Sequence, residues 1–295
     1  LGIPHYVLDY ESLFRQQVMD DFADSYLAGH TPIPCVRCNQ TVKFTDLLQT
    51  ARDLGADCLA TGHYIRREVK QGLACLRRGI DESKDQSYFL FATTPEQRDY
   101  LRFPLGGMTK TETRALAARF SLSVQDKPDS QDICFVGKKN YRNFVDKRID
   151  ISTSGEIVNS DGSSMGQHSG VHEFTVGQRK GIPGGQGAPK YVTKIDVRNK
   201  KVFVGDKKDL LTASFYLEDV SFVNDIVNDN LTIQTRYNSE DLPCTIEMLS
   251  EHSLEVTLLE PTYGVAPGQF GVLYTGTKLI GGGRITSKLN EALTV

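Results

Sequence analysis

Residues 43–63 read KFTDLLQTARDLGADCLATGH, and this stretch decides the fold class of the first third of the chain. Its first half places apolar residues at the spacing of one helix face, at Phe44, Leu47, Leu48, Ala51 and Leu54. Gly55 then ends the helix, and Asp57–His63 is a short apolar strand that runs into glycine. Helix, tight turn and buried strand follow one another in parallel sheets with helical crossovers, so the sequence predicts an α/β region.

The same region carries a second helix start and an unusual opening. Thr109 and Glu112 form a capping box, which predicts a helix that continues through Phe120. The opening residues, Leu1–Asp9, are typical of a helix end followed by a strand. A domain rarely begins inside a crossover unit, so we expect the sequence to be truncated at its N-terminus.

The pattern changes from residue 155, where glycines separate short alternating stretches. Tyr191–Val197 and Lys201–Val204 flank an Asn199-Lys200 turn and predict a hairpin. Beyond residue 211 short alternating runs recur, at Leu231–Arg236, Cys244–Leu249, Leu254–Leu259 and Phe270–Tyr274. The sequence therefore predicts α/β plus all-β architecture in three domains, residues 1–136, 137–210 and 211–295, with a small antiparallel β-barrel last.

Charge is distributed unevenly along the chain, although its net value is only −3. Residues 1–136 carry a net charge of −2 and residues 211–295 a net charge of −7. Residues 137–210 carry 14 basic against 8 acidic residues, a net charge of +6. A basic block in an acidic chain indicates a surface for a polyanion, with a solvated cationic face as the alternative.

Composition excludes several classes of protein. Hydrophobic residues make up 39% of the chain and charged residues 24%, values typical of a globular protein. No apolar run reaches the roughly 18–20 residues of a membrane-spanning helix, so we expect no membrane partner. Six cysteines are too sparse for a disulfide scaffold, and no signal peptide opens the sequence. These features predict a reducing compartment, the cytoplasm or an organellar matrix.

Three cysteines are candidates for chemistry. Cys35 and Cys38 form a CxxC motif in a Pro-rich turn, where Arg37 favours the thiolate, and Cys134 lies among polar residues farther along. Three uses are open: a zinc site with His30 as fourth ligand, a [4Fe–4S] cluster with one open iron, or a metal-free persulfide relay that ends in a disulfide. Spacing alone does not choose among them.

Two polar motifs each have a structural alternative. Gly62-His63 follows the end of a predicted strand, where ligands gather in open α/β sheets; the alternative is a structural histidine. Lys84–Tyr88 is a polar cluster beside an aromatic residue; the alternative is a helix start with a solvated face. Apolar or alternating surroundings assign the remaining cysteines to packing: Cys58, Cys75 and Cys244.

Six segments, in order along nearly the whole chain, carry a resemblance to a known family. They are Thr31–Asn39, Thr61–Tyr64, Lys84–Leu90, Asp129–Phe135, Phe174–Gly181 and Ala266–Gln269. Together they resemble the tRNA-specific 2-thiouridylases, which convert the wobble uridine of certain tRNAs to 2-thiouridine.

The resemblance implies a Rossmann-like ATP-pyrophosphatase domain, a small central domain and a C-terminal β-barrel. ATP, with Mg²⁺, would adenylate O2 of the target uridine and so create a leaving group. Sulfur would arrive as a persulfide on Cys134, and Cys38 would complete the transfer as nucleophile, leaving a Cys38–Cys134 disulfide for later reduction. The implied partners are tRNA and a sulfur-donor protein; nothing suggests an obligate assembly, so we expect a monomer.

The resemblance also implies binding residues, position by position. Gly62 matches an ATP-contacting residue. The residues that match tRNA contacts are Ile33, Pro34 and Cys35 at the flipped base, together with His63, Lys84, Asp85, Gln86, Arg236, Tyr237 and Gln269. The basic block would then bind tRNA phosphates.

The chain departs from the family pattern at two places. Cys35 stands where many members have Asp, which leaves open an iron–sulfur variant with Cys35, Cys38 and Cys134 as ligands. The family's SGGxDS phosphate-binding loop is absent and should precede Leu1; a chain without it should hold ATP poorly. A non-catalytic tRNA-binding remnant is therefore the other alternative.

Overall fold

The computed structural model describes residues 2–128, 133–136, 141–146, 148, 154–183, 189–226 and 229–287. These residues form an α/β region, a central sheet and a C-terminal β-barrel, as the sequence predicts. Within these ranges, no helix has both the length and the apolar character that a membrane span requires.

Helices open the α/β region in two continuous runs. The first consists of α1 (Glu11–Phe14), a π-helical segment (Arg15–Asp20) and α2 (Asp21–Leu27). The second consists of α3 (Pro34–Cys38), a π-helical segment (Asn39–Leu47) and α4 (Leu48–Asp53). The second run begins at Pro34 because the fixed φ of proline suits the first helical position. The predicted Lys43–Leu54 helix is thus confirmed as the second half of a longer one, which stops before Gly55 at φ +76°.

The predicted parallel pairing is present but short. β1 (Leu59–Ala60) pairs in parallel with β4 (Leu101–Arg102), and the predicted Asp57–His63 strand is only two residues long because its neighbour offers two partners. In sequence, an antiparallel hairpin of β2 (Ile65–Lys70) and β3 (Leu73–Arg78) lies between β1 and β4. The other short elements are 3₁₀ helices at Glu82–Lys84 and Ser87–Leu90, α5 (Pro95–Tyr100) and α6 (Lys110–Arg119). The predicted capping box at Thr109 and Glu112 starts α6.

The central region is a four-stranded sheet preceded by α7 (Tyr141–Asp146). Its strands are β5 (Gly155–Asn159), β6 (Ser164–His168), β7 (Tyr191–Asp196) and β8 (Lys201–Gly205), in the order β6-β5-β8-β7. Short 3₁₀ helices lie at Val171–Glu173 and Lys207–Leu210. The predicted hairpin joins β7 to β8, and the Asp196 carboxylate accepts a hydrogen bond from the Asn199 backbone N–H at 3.0 Å within its turn.

Six of the described strands form a closed antiparallel barrel. They are β9 (Leu211–Phe222), β10 (Leu231–Gln234), β11 (Leu242–Ser250), β12 (Ser253–Tyr263), β13 (Phe270–Thr275) and β14 (Lys278–Thr286). The order β13-β10-β11-β12-β9-β14 closes through the pairing of β13 with β14. The alternating runs in the sequence predict β10–β13 but not β9 or β14. In β14, glycines 281–283 weaken the strand pattern. The structure requires glycine at these positions because close neighbours leave no room for a side chain.

The α/β region and the barrel are joined by a shared sheet and a shared core. β3 pairs with β14, with Arg77 opposite Lys278, so the β2–β3 hairpin extends the barrel sheet. Buried side chains from both regions pack in one cluster that includes Val36, Phe44, Tyr88, Val272, Tyr274 and Leu279. The α/β region and the barrel therefore pack together as one unit.

Two local predictions are wrong. Residues 2–10 form neither helix nor strand: Ile3, Tyr6 and Val7 are exposed, and no described strand pairs with them to supply hydrogen bonds. The CxxC motif lies wholly within α3 rather than in a turn, because Pro34 starts a helix.

Candidate active site

Cys35 and Cys38 lie in the helix that begins at Pro34. Val36 between them is fully buried in the shared core, whereas Cys35 is exposed and Cys38 is half-buried. Asn39 is buried and donates from Nδ2 to the carbonyl oxygen of Phe89 at 3.1 Å. These contacts fix the cysteine helix against the Ser87–Leu90 turn.

The cation that acts on both thiols is Lys43, and the expectation that Arg37 would do so is wrong. Arg37 directs Nε toward Asp21 Oδ1, 3.5 Å away. The surrounding protein partly desolvates both sulfur atoms, also that of the exposed Cys35, and so raises the pKa of Cys35 and of Cys38; Lys43 opposes that rise at each thiol. Lys43 itself has no ion-pair partner among the described residues. Its charge is therefore available to a thiolate.

A π-helical register brings Lys43 toward Cys38. Lys43 follows Cys38 by five residues and lies in the π-helical segment Asn39–Leu47. Hydrogen bonds in such a segment run from residue i to residue i+5, so side chains five apart approach one face. In a regular α-helix, side chains three or four apart would do so instead. π-Helical segments inside a longer helix are frequent at functional sites.

The third thiol, Cys134, comes from a distant part of the sequence. It is exposed in a turn in which the Val136 backbone N–H donates to the Ile133 carbonyl oxygen at 3.0 Å. A negative charge on Cys134 raises the pKa of both Cys35 and Cys38, so the three sulfur atoms lie within electrostatic reach of one another. All three are free thiols.

The described donor groups do not form a metal site. Within the described parts of the chain, no three His, Cys, Asp or Glu side chains are grouped so that they could hold a metal ion. The zinc and [4Fe–4S] interpretations require converging ligands, whereas His30 lies in a cleft beside Arg284. The persulfide relay needs only that one thiol reach another.

His63 lies three residues after the end of β1, in a largely apolar setting. Its ring packs between Phe44 and Phe103, with centroids 5.9 and 6.5 Å away, and Nδ1 shares a 2.8 Å hydrogen bond with Thr61 Oγ1. Burial, with a smaller effect of Lys43, lowers the pKa of His63 to about 4. The imidazole is therefore neutral at pH 7 and can offer a neutral hydrogen-bonding group to a ligand. Gly62 beside it is exposed.

The Lys84–Gln86 segment faces inward more than its polar sequence indicates. The Asp85 carboxylate is buried and accepts hydrogen bonds from Gly79 N–H at 2.8 Å and from Ser87 Oγ at 2.6 Å. Gln86 Oε1 accepts from the Tyr64 backbone N–H at 3.0 Å. The alternative of a solvated helix face is wrong, because these side chains hold the loop in place.

Barrel residues reach the same neighbourhood. Tyr237 packs its ring 4.4 Å from that of Phe89, next to the cysteine helix, and burial raises its pKa. Gln269 donates from Nε2 to the Thr31 carbonyl oxygen at 3.3 Å. Arg236 is exposed at the barrel rim. The structure thus brings two of the barrel residues expected to contact tRNA, Tyr237 and Gln269, close to the segment that contains Ile33.

Two clefts lie where the α/β region meets the barrel. One has a volume of about 350 Å³, and its lining includes Asp85, Tyr88 and Tyr237. The other has a volume of about 590 Å³ and runs from Ile33 and Arg37 to Arg284. The segment Ile33–Cys35 therefore lies beside open space large enough for part of a nucleotide.

Fold and site together define a three-part protein of the HUP class, with a cysteine pair on its α/β region and a closed β-barrel behind it. The family model described as tRNA methyl transferase HUP domain matches residues 1–138. The model described as tRNA methyl transferase PRC-barrel domain matches residues 142–206, and that described as aminomethyltransferase beta-barrel domain matches residues 212–285.

Curated relatives define the family more narrowly. The chain is 50% identical over 294 residues to the tRNA-specific 2-thiouridylase of Rickettsia massiliae, an alignment that covers 98% of this chain and 80% of the relative. It is 51% identical over 296 residues to that of Rhodospirillum centenum, covering 97% and 76%. It is 49% identical over 295 residues to that of Rickettsia prowazekii, covering 98% and 82%. The chain belongs to the tRNA-specific 2-thiouridylase family.

Proposed function

We propose that this chain is a tRNA-uridine 2-sulfurtransferase, which replaces O2 of the wobble uridine with sulfur in an ATP-dependent reaction. The observation that carries the proposal is that Cys134 lies within electrostatic reach of both Cys35 and Cys38, beside Lys43, which has no ion-pair partner in the described part of the chain. The relatives bear the name of a tRNA 2-thiouridylase. One thiol that holds sulfur and a second that resolves the product are what such a transfer needs.

ATP would bind near the carboxyl end of β1, where ligands gather in open α/β sheets. Gly62 has no side chain and so leaves the backbone open to a ligand there. Packing does not require a glycine at this position, because an added Cβ would make only an ordinary 3.7 Å contact with Leu105. Adenylation of uridine O2 would release pyrophosphate and turn that oxygen into a leaving group. Mg²⁺ would be held mainly through the nucleotide phosphates, as is usual for this ion.

Sulfur transfer would proceed through two bond exchanges. The terminal sulfur of a Cys134 persulfide attacks C2 of the adenylated uridine, AMP leaves with the former O2, and a disulfide links C2 to Cys134. The Cys38 thiolate then attacks Cys134 Sγ, which releases 2-thiouridine and leaves a Cys38–Cys134 disulfide. An external dithiol would reduce that disulfide before the next cycle. Lys43 would favour the Cys38 thiolate that the second exchange requires.

The target uridine would leave its stack and enter the space beside Ile33, Pro34 and Cys35. Gln269 supports this segment from the barrel through its hydrogen bond to Thr31. Neutral His63 would supply a hydrogen bond to the tRNA.

Further tRNA contacts would come from the loop and the barrel rim. Lys84, Arg236 and Tyr237 would touch the tRNA directly, whereas the buried Asp85 and the tethered Gln86 would act by holding the Lys84 loop. The proposal also places the domain boundaries after residues 136 and 210. The basic block of residues 137–210 would bind phosphates.

A persulfide-carrying protein would load Cys134, whose exposure suits direct transfer from a partner thiol. A thiol cycle of this kind requires a reducing compartment. A monomer is sufficient for the reaction, because all of the proposed residues belong to one chain.

The test is nucleoside analysis of tRNA after incubation with the purified chain, ATP, Mg²⁺ and a persulfide-generating sulfur donor. We expect 2-thiouridine in the anticodon loop and an equal amount of AMP; omission of ATP is the matched control. tRNA that binds but stays unmodified would favour the non-catalytic alternative. Modification in the absence of ATP would contradict the adenylation step.

A further inference from the structure

Three aromatic rings pack around that of Phe135, the residue next to Cys134; we call Phe14, Phe22, Phe135 and Phe144 the aromatic cluster. The centroid of the Phe135 ring lies 5.8 Å from that of Phe14, 5.3 Å from that of Phe22 and 5.1 Å from that of Phe144. Phe22 and Phe144 are themselves 5.9 Å apart. The contacts with Phe14 and Phe22 are edge-to-face, a favoured geometry for aromatic pairs.

The aromatic cluster joins the Cys134 turn to two other parts of the chain. Phe14 is the last residue of α1, Phe22 lies in α2 and is fully buried, and Phe144 lies in α7. Arg148 covers the outer side: its guanidinium lies 3.9 Å from the centroid of the Phe144 ring, and its Nε donates to Asp20 Oδ1 at 3.4 Å. The cluster is therefore held from two sides.

Cys134 differs from its neighbours in exposure. Ile133, Phe135 and Val136 all pack against a buried group that includes Phe22 and Val145, whereas Cys134 is exposed. The hydrogen bond from Val136 N–H to the Ile133 carbonyl oxygen closes the turn around it. The thiol thus projects from a turn whose base is anchored on both sides.

We propose that Phe135 is a positioning residue: its ring, seated in the aromatic cluster, sets the direction and reach of the adjacent Cys134 thiol toward Cys38. The inference rests on the pairing of Cys134 with Cys38 in the proposed function. It adds a structural reason why an exposed thiol on a short turn would reach the cysteine helix.

The physical basis is effective concentration. Two thiols in one chain form a disulfide in proportion to how often they meet in a productive geometry. An unanchored turn loses conformational entropy each time the thiols meet, whereas an anchored turn has already lost it on folding. Loss of three ring contacts should therefore lower the effective concentration about tenfold.

The experiment measures that quantity directly. The reduced chain is equilibrated without oxygen at several ratios of reduced to oxidised glutathione, and the Cys38–Cys134 disulfide is quantified by mass spectrometry after alkylation. One oxidised glutathione accepts two electrons and becomes two thiols as the two protein thiols form one disulfide, so the equilibrium constant gives the effective concentration. Phe135→Leu should lower it about tenfold, and Phe135→Tyr, which keeps the ring, should remain within about twofold of wild type.

Two further variants separate positioning from general damage. Phe120→Leu removes a ring that is 65% exposed at the end of α6 and should leave the constant unchanged. Phe22→Leu acts on the same ring contact from the opposite side and should lower the constant as Phe135→Leu does. Thermal unfolding of each variant establishes that the proteins compared are folded.

The two possible failures are distinguishable. A folded Phe135→Leu with the wild-type constant overturns the positioning role while leaving the Cys38–Cys134 pairing intact. A wild-type chain that forms no Cys38–Cys134 disulfide at any glutathione ratio overturns the pairing in the proposed function, and the positioning role with it.

Discussion

Lys43 and Cys38 lie five residues apart on one unbroken helix, where Lys43 lowers the pKa of the Cys38 thiol against the effect of burial. Arg37, although adjacent to Cys38 in sequence, is directed toward Asp21. The thiolate fraction of Cys38 therefore depends on a side chain in the next helical turn rather than on the arginine within the motif.

Replacing Lys43 tests this relationship. Lys43→Met removes the positive charge that opposes burial, so the pKa of Cys38 should rise further and less thiolate should exist at pH 8. Alkylation of Cys38 by iodoacetamide, followed by mass spectrometry over a range of pH, should slow about three- to tenfold at pH 8, with its midpoint at higher pH. Arg37→Met is the matched control and should leave the profile in place; an equal shift in both variants would contradict the assignment.

The neutral state of His63 gives a second prediction. Its pKa of about 4 lies below the ordinary value of 6.5 because burial and Lys43 disfavour the imidazolium. The nuclear magnetic resonance signal of its Cε1–H should therefore stay at the neutral position from pH 8 down to pH 5.5. His63→Gln assigns the signal by its loss. A titration midpoint near 6.5 would show that the ring is hydrated and not packed as described.

Gly268 provides a third test, of the contact between the barrel and the segment before α3. It has φ +88°, and an added Cβ would lie 2.6 Å from the Thr31 nitrogen and also clash with His30. Gly276 shares a positive φ, of +55°, but has open space around it. Gly268→Ala should therefore lose about 1–3 kcal/mol more unfolding free energy than Gly276→Ala, measured with urea. Equal losses would mean that the barrel and this segment are not in contact.

The shared core leads to a fourth prediction. Leu279 and Leu254 are both fully buried barrel residues, but only Leu279 belongs to the cluster that includes side chains of the α/β region. Each change to Ala should cost about 2–5 kcal/mol. Hydrogen exchange in β3 should accelerate in Leu279→Ala and much less in Leu254→Ala. Each variant is measured at a urea concentration that lies the same amount below its own unfolding midpoint. Identical exchange in β3 would contradict a core shared between the two regions.

Elements specified by local chemistry could be predicted from the sequence. The capping box at Thr109 starts α6, and the Asn199-Lys200 turn joins β7 to β8, because the signal for each lies within a few residues. The pairing of Arg77 with Lys278 could not be predicted, since it joins residues far apart in sequence and no local pattern encodes it. The short length of β1 could not be predicted for the same reason, because it depends on the number of residues in β4 that pair with it.

The site was predictable to a similar extent. The motif pattern identified Cys38 and Cys134 as residues of interest, but the influence of Lys43 depends on a helix that begins at Pro34 and continues through a π-helical register. A signal for that helix exists in the proline at its first position. Asp85 had none, because a polar run does not reveal which carboxylate will turn inward to accept hydrogen bonds from Gly79 and Ser87.

The central claim is that Cys134 delivers sulfur and Cys38 resolves the product. The most direct measurement is a single turnover: the chain is loaded with one persulfide sulfur, mixed with tRNA and ATP, quenched in acid, and analysed for 2-thiouridine and for the Cys38–Cys134 disulfide. We predict equal amounts of the two products, neither product in Cys134→Ser although it still binds tRNA, and both in the control Cys58→Ser. Undiminished 2-thiouridine from Cys134→Ser, or 2-thiouridine formed while both thiols remain reduced, would contradict the account.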